Sequence, residues 1–191
     1  STLPKNMNND MTDKTLYTVT VYSENQVGLL NQISIIFTRR QLNIESLSVS
    51  ASAAEGIHKF TITTYSDRET MEKLVKQIEK RIDVLRAFFY TDDEIVFQEV
   101  ALYKVPTDKL LDDSRIEELI RKHNARILEV NRTYTVIEKS GHTDETQALF
   151  EELSRYEVMQ FVRSGRVAIT KSTVEHVSLF LQEQQYRQNQ L

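Results

Sequence analysis

Tyr17, Val19 and Val21 alternate with Thr18, Thr20 and Tyr22, a two-residue period that predicts a strand with unlike faces. From Gly28 to Arg40 the period changes. Leu29, Leu30, Ile33, Ile36 and Phe37 fall three and four apart, which predicts a helix with one apolar face. Two β-rich runs follow, Ile44 to Ala53 and Ile57 to Tyr65, on either side of a turn holding Glu55 and Gly56, and these predict a hairpin. Ser66, three residues before Glu69, predicts a capping box opening a helix with the stripe Met71, Leu74, Val75 and Ile78. Val84 to Tyr90 reads as the strand that closes the half.

Strand, helix, hairpin, helix, strand is the βαββαβ order of a ferredoxin-like α+β domain, with both helices on one face of an antiparallel sheet. After the acidic connector Thr91 to Glu94 the order recurs. A strand is expected at Glu99 to Val105 and a helix at Ser114 to His123, with Ser114 and Glu117 as a capping-box pair and Ile116, Leu119 and Ile120 buried. Strands follow at Arg126 to Val130 and Thr133 to Lys139. A helix near Asp144 to Ser154 carries Leu149, Phe150 and Leu153, and short strands at Val158 to Val162 and Val167 to Thr170 finish the sheet. The pattern thus predicts two ferredoxin-like domains, residues 15–91 and 96–172, with a boundary near residue 95. Ser1 to Lys14 is polar, holds no apolar run able to serve as the core of a secretory signal, and is expected to be a flexible leader. In the tail, 173–191, Val174, Val177 and Leu181 precede the polar run Gln182 to Gln190, which predicts a short fraying helix.

Composition removes several classes of function. The chain has no cysteine, so disulfides, thiolate metal sites and thiol nucleophiles are excluded and a cytoplasmic location is expected. Its four glycines are Gly28, Gly56, Gly141 and Gly165, too scattered for a dinucleotide fingerprint or a P-loop, both of which need clustered glycines around phosphates. A net charge of −4 argues against nonspecific attraction to nucleic acid or anionic membranes, although a local basic patch remains compatible with it. His58, His123, His142 and His176 show no metal-like spacing, and no metal site is expected.

Between the first strand and first helix stands Glu24-Asn25-Gln26-Val27-Gly28-Leu29-Leu30, which resembles the effector loop of ACT domains. Downstream, Phe37-Thr38-Arg39-Arg40-Gln41-Leu42-Asn43-Ile44-Glu45-Ser46-Leu47 contains an Asn-Ile-Glu-Ser-Leu run that resembles acetolactate synthase small subunits. Ile82-Asp83-Val84-Leu85-Arg86 and Arg163-Ser164-Gly165-Arg166-Val167 extend the resemblance over roughly residues 15 to 172. The resemblance implies a regulatory subunit with no active site of its own. It implies an N-terminal ACT domain that binds a branched-chain amino acid, valine foremost, for feedback inhibition. The partner implied is the catalytic large subunit, which would hold thiamine diphosphate, magnesium and FAD and be activated by this chain. A homodimer through the ACT domains is implied too. Two positions depart from the usual pattern: Gln41 stands where the family commonly has glycine, and Gln32 where it often has arginine. A glutamine at a position needing positive φ costs roughly 1 kcal/mol unless the turn is rebuilt.

The expected effector-binding residues are Asn25, Val27, Gly28, Leu29, Leu30, Asn43 and Ile44. Amides around Gly28 and Leu29 would open a helix, where unpaired donors and the helix dipole favour a carboxylate. Asn25 and Asn43 carry side chains that both donate and accept, which suits a zwitterion. Leu29, Leu30 and Ile44 could line an apolar pocket. By the family resemblance, the loop of one chain would face the Asn43 and Ile44 region of its neighbour.

Other readings fit parts of the pattern. Gly28 and the asparagines suit turns and caps for backbone reasons alone. Phe60 and Phe88-Phe89-Tyr90 could stack RNA bases, but Ile57 to Ile62 lacks the basic-Gly-aromatic order of an RNA-binding strand. An amino-acid-responsive transcription regulator would need a helix-turn-helix, which the short stretch before Tyr17 is not expected to hold. A stand-alone ACT-type regulator of another protein is the remaining alternative. For catalysis, Glu45 has no evident partner and Ser114 is accounted for by capping.

Overall fold

The computed structural model describes residues 14–24, 27–173 and 176–189. Two compact units divide the chain, Ser1–Val96 together with Ala168–Leu191, and Phe97–Val167.

In the first unit the order is β1 (Thr15–Glu24), α1 (Leu29–Arg39), β2 (Ser46–Ala51), β3 (Ile57–Ser66), α2 (Arg68–Glu79) and β4 (Val84–Tyr90). The strands form an antiparallel sheet in the order β2-β3-β1-β4. Val19 and Val21 on β1 face the same core as Ile62 and Phe60, their register partners on β3. Leu29, Ile33, Ile36 and Phe37 of α1 and Met71, Leu74 and Ile78 of α2 complete that core. Val75 packs on it while only partly buried. The cap of α2 lies one residue later than the Ser66–Glu69 spacing predicts. Ser66 is the last residue of β3, and the Asp67 carboxylate accepts from the Thr70 amide at 2.8 Å and from its hydroxyl at 2.9 Å.

The second half runs β5 (Ile95–Pro106), α3 (Thr107–Asp112), α4 (Ser114–Lys122), β6 (Arg126–Val130), β7 (Tyr134–Gly141), α5 (Thr143–Leu153), β8 (Gln160–Arg163) and β9 (Val167–Thr170). A one-turn 3₁₀ helix at Asp92–Glu94 precedes β5. The sheet order is β6-β7-β5-β8, and β9 also pairs with β5. Ala101, Tyr103 and Val105 of β5, Ile137 of β7, Ile116 and Ile120 of α4, and Leu149 and Leu153 of α5 form its core, with Leu119 and Phe150 packed against them. The predicted Ser114 cap is also displaced: Asp113 is the N-cap, its carboxylate accepting from the Arg115 amide at 2.9 Å. In both helices a carboxylate adjacent to the serine takes the amides, as the stronger acceptor.

The tail forms α6 (His176–Gln188), which the division places in the first unit. Among the described residues no helix is long and apolar enough to cross a membrane.

Candidate functional site

β1 ends at Glu24 and α1 begins at Leu29, with Gly28 as the N-cap at φ 89°. A residue bearing Cβ is strained there, so a backbone reason suffices for this glycine. An added Cβ would meet nothing within 4 Å, which leaves the space beside it open. The Gly28 carbonyl accepts from Gln32 N at 3.2 Å, and α1 has no side-chain cap hydrogen bond and no acidic residue in its first turn. The amides of that turn therefore face outward with the positive end of the helix dipole.

Asn25 lies outside the described residues. Val27 is fully exposed and Leu30 is 43 % exposed, so both stand at the surface beside the helix start. Leu29 is different. At 1 % exposure it belongs to the core with Ile33 and Phe37, four and eight positions on, so its side chain is not a pocket wall and only its amide can serve a ligand.

Asn43 and Ile44 sit past the other end of α1. Asn43 is exposed, and its carbonyl accepts from the Thr64 hydroxyl at 2.7 Å. Ile44 is half-buried against the core. Eleven helical residues separate the two groups, a span of about 16 Å at 1.5 Å per residue. One chain thus does not bring Gly28 and Asn43 to the same small ligand.

The Arg163–Val167 run is structural in the second unit. Arg163 Nε stands 3.7 Å from the Glu99 carboxylate, and its terminal nitrogen donates to Gln147 Oε1 at 2.9 Å. The Ser164 hydroxyl accepts from Val100 N, and the Arg166 guanidinium lies 3.9 Å over the Phe97 ring. Glu99, only 7 % exposed, accepts from the Thr143 and Thr146 hydroxyls, each at 3.0 Å. Sequence reasoning missed this buried carboxylate. Its signal was available: Glu99 shares the inward parity of β5 with Ala101, Tyr103 and Val105.

His142, Asp144 and Glu145 place potential ligand atoms within 4.8 Å of one another, all at exposed positions. Capping of α5 accounts for the juxtaposition, since Glu145 accepts from His142 N at 2.7 Å and Asp144 from Glu145 N at 3.0 Å. On the first unit, Arg40, Lys73, Lys76, Lys80 and Arg81 line a depression of about 580 Å³, a local basic patch on an acidic chain.

Comparison with known proteins agrees with the two-unit reading. Residues 19–86 match the family described as AHAS small subunit-like ACT domain, and residues 98–172 match Small subunit of acetolactate synthase. The chain is 32 % identical over 169 residues to the acetolactate synthase small subunit of Bacillus subtilis (strain 168), covering 86 % of this chain and 95 % of that protein. It is 32 % identical over 156 residues to the acetolactate synthase small subunit of Aquifex aeolicus, covering 80 % of each. The crystal structure of the Thermotoga maritima small subunit superposes with a TM-score of 0.74 at 27 % identity, covering 83 % of this chain and 99 % of that one. The chain belongs to the acetolactate synthase small-subunit family, and its first half is an ACT domain.

Proposed function

We propose that this regulatory subunit binds a branched-chain amino acid, valine foremost, between the ACT domains of two copies. Binding there would transmit feedback inhibition to the catalytic large subunit, which the chain otherwise activates and which alone would hold thiamine diphosphate, magnesium and FAD. The observation that carries this reading is the placement of the expected site residues at opposite ends of α1.

Strand order supplies the geometry. α1 connects β1 to β2 and so crosses β3, whereas α2 connects β3 to β4 and crosses β1. α1 therefore lies on the β2 side of the sheet, where β2 is an edge strand with unpaired backbone groups open to a second strand. Antiparallel pairing of β2 with the β2 of a second copy sets the two α1 helices side by side and head to tail. The N-terminus of one then lies beside the C-terminus of the other. Gly28 and the first-turn amides of one protomer meet the Asn43 and Ile44 region of its partner, which neither protomer achieves alone. The carboxylate would take the amides and helix dipole, the Asn43 amide would take the ammonium group, and Leu30 and Ile44 would flank the aliphatic side chain. For inhibition, the ligand must favour one subunit arrangement over another, by a coupling of about 1–3 kcal/mol.

The test is acetolactate formation by large subunit reconstituted with this chain, native or Asn43→Ala, titrated with valine, leucine, isoleucine and a polar control amino acid. The expected result is activation by both forms and inhibition by a branched-chain amino acid only with the native chain. Activation with no branched-chain response in the native holoenzyme sinks the effector reading. For the free chain, ligand at about a hundredfold over Kd adds roughly 2.7 kcal/mol of stability, several degrees of melting temperature.

A further inference from the structure

A second cleft, of about 600 Å³, opens in the first unit where β1 ends and β3 and β4 begin. Its floor is formed by Ile57, Val84 and Leu85, with Glu24 and Glu55 beside them. The facing wall is α6, which contributes Leu181, Gln184, Gln185 and Gln188. Those four positions are spaced three and four apart and so fall on one face of the helix.

The lining has a definite chemistry. Glu24 and Glu55 give it two negative charges, it contains no cation, and neither carboxylate has an ion-pair partner among the described residues. An anion is repelled there and an ammonium group is stabilised. Ile57 and Val84 are buried, and with Leu85 and Leu181 they offer an apolar surface to a short aliphatic body. The three glutamine amides donate and accept, so they can also hold a carboxylate or its water. A tail helix whose inward face carries one leucine and three amides does not seal the cleft by burying its own apolar surface, and the space stays available to a ligand.

We propose that this cleft binds a small molecule bearing an ammonium group and a short aliphatic body, an aliphatic amino acid or the matching amine, within a single chain. It goes beyond the two-chain effector site, because every lining residue comes from one protomer and four of the ten come from the tail.

Calorimetric titration of the full chain tests it with three probes that share the isobutyl carbons and differ in carrying both charged groups, the ammonium alone or the carboxylate alone: L-valine, isobutylamine and 3-methyl-2-oxobutanoate. The proposal expects isobutylamine to bind once per chain and the oxo acid not to bind. Leu181→Arg, which sets a cation in the wall at a position outside the core, should weaken the amine at least about tenfold, and so should Glu24→Gln with Glu55→Gln. Asn43→Ala should leave amine binding unchanged, since it disables only the two-chain site. No amine binding to the native chain, or equal binding to native and Leu181→Arg chains, overturns the proposal. Neither result touches the effector reading, which stands or falls on valine inhibition of the holoenzyme.

Discussion

The amide of Leu42 donates to the carbonyl of Phe37 at 2.9 Å, closing α1 by a six-residue loop that forces Gln41 to φ 57°. Gln41 N completes the motif by donating to Thr38 O at 2.9 Å, and Leu42 packs on the core that holds Phe37. The second unit repeats it. Ala125 N donates to Ile120 O at 2.9 Å, Asn124 N to Arg121 O at 3.2 Å, and Asn124 sits at φ 51°.

Gln41 is therefore strained, whereas asparagine tolerates this region better than most side-chain-bearing residues. Gln41→Gly relieves roughly 1–2 kcal/mol of left-handed strain and gives back part of it through a freer unfolded chain. The expected net gain is about 0.5–1 kcal/mol, a few degrees in the transition of the first unit by scanning calorimetry. Asn124→Gly should gain less than about half of that. A melting temperature lowered by Gln41→Gly would show that the turn is held by something other than the backbone.

Gly28 is the opposite case, with φ 89° and open space where a Cβ would go. Gly28→Ala should cost about 1–2 kcal/mol through backbone conformation alone, and Gly28→Asn should cost less. If a ligand or a partner protomer occupies that space, both variants should also weaken the valine response of the holoenzyme. Equal valine sensitivity in Gly28→Asn and native holoenzyme would reduce this glycine to a turn residue.

The strands were legible as short runs rich in apolar and β-branched residues: β4 at Val84–Tyr90, β6 at Arg126–Val130 and β9 at Val167–Thr170 fall where those runs put them. Helix starts were less legible. At Ser66 and Ser114 the Ser-x-x-Glu spacing is present, yet Asp67 and Asp113 do the capping, because a neighbouring carboxylate outcompetes a hydroxyl for the same amides. α3 escaped because six residues carry no helical period, although Pro106 at its start is a recognised opening signal. At the candidate site, the helical spacing of Leu29 with Ile33 already marked it as core. The separation of Gly28 from Asn43 was legible too, since the apolar period from Leu29 to Phe37 puts a helix, about 16 Å long over its eleven residues, between the two loops.

A pH effect follows from Glu152 on α5, whose carboxylate binds the His123 ring and accepts from Lys122 Nζ at 2.9 Å. The His123 hydrogen bond, then that of Lys122, holds Glu152 down at about 2 from an ordinary 4.5. A carboxyl lowered by folding contributes stability that is fully present above its unfolded value and is lost as pH falls through the folded one. The contribution should therefore fade between about pH 4.5 and 2. Melting curves of native and Glu152→Gln chains should be separated at pH 6 and converge towards pH 2. Parallel curves across that range would mean the contact is absent in solution.

The buried polar cluster of the second unit gives a sharper prediction. Glu99 is held by Thr143, Thr146 and Arg163, while the Tyr103 hydroxyl donates to Thr146 O at 2.5 Å. Burial pushes the Tyr103 phenol up to about 12, so the stability this proton contributes is present below about pH 10 and fades between 10 and 12. Arg163 is the cation beside the Glu99 carboxylate, and its own side chain is only 26 % exposed. Arg163→Met should cost about 2–4 kcal/mol by stranding a buried carboxylate, whereas Arg163→Met with Glu99→Leu should recover most of that loss, because an apolar pair of similar volume strands no charge. Calorimetry of the four chains in this cycle gives the coupling directly. A double variant as unstable as the sum of the single ones would mean that Glu99 and Arg163 act independently, and that the Arg163–Val167 run stabilises the unit through Ser164 and Arg166 instead.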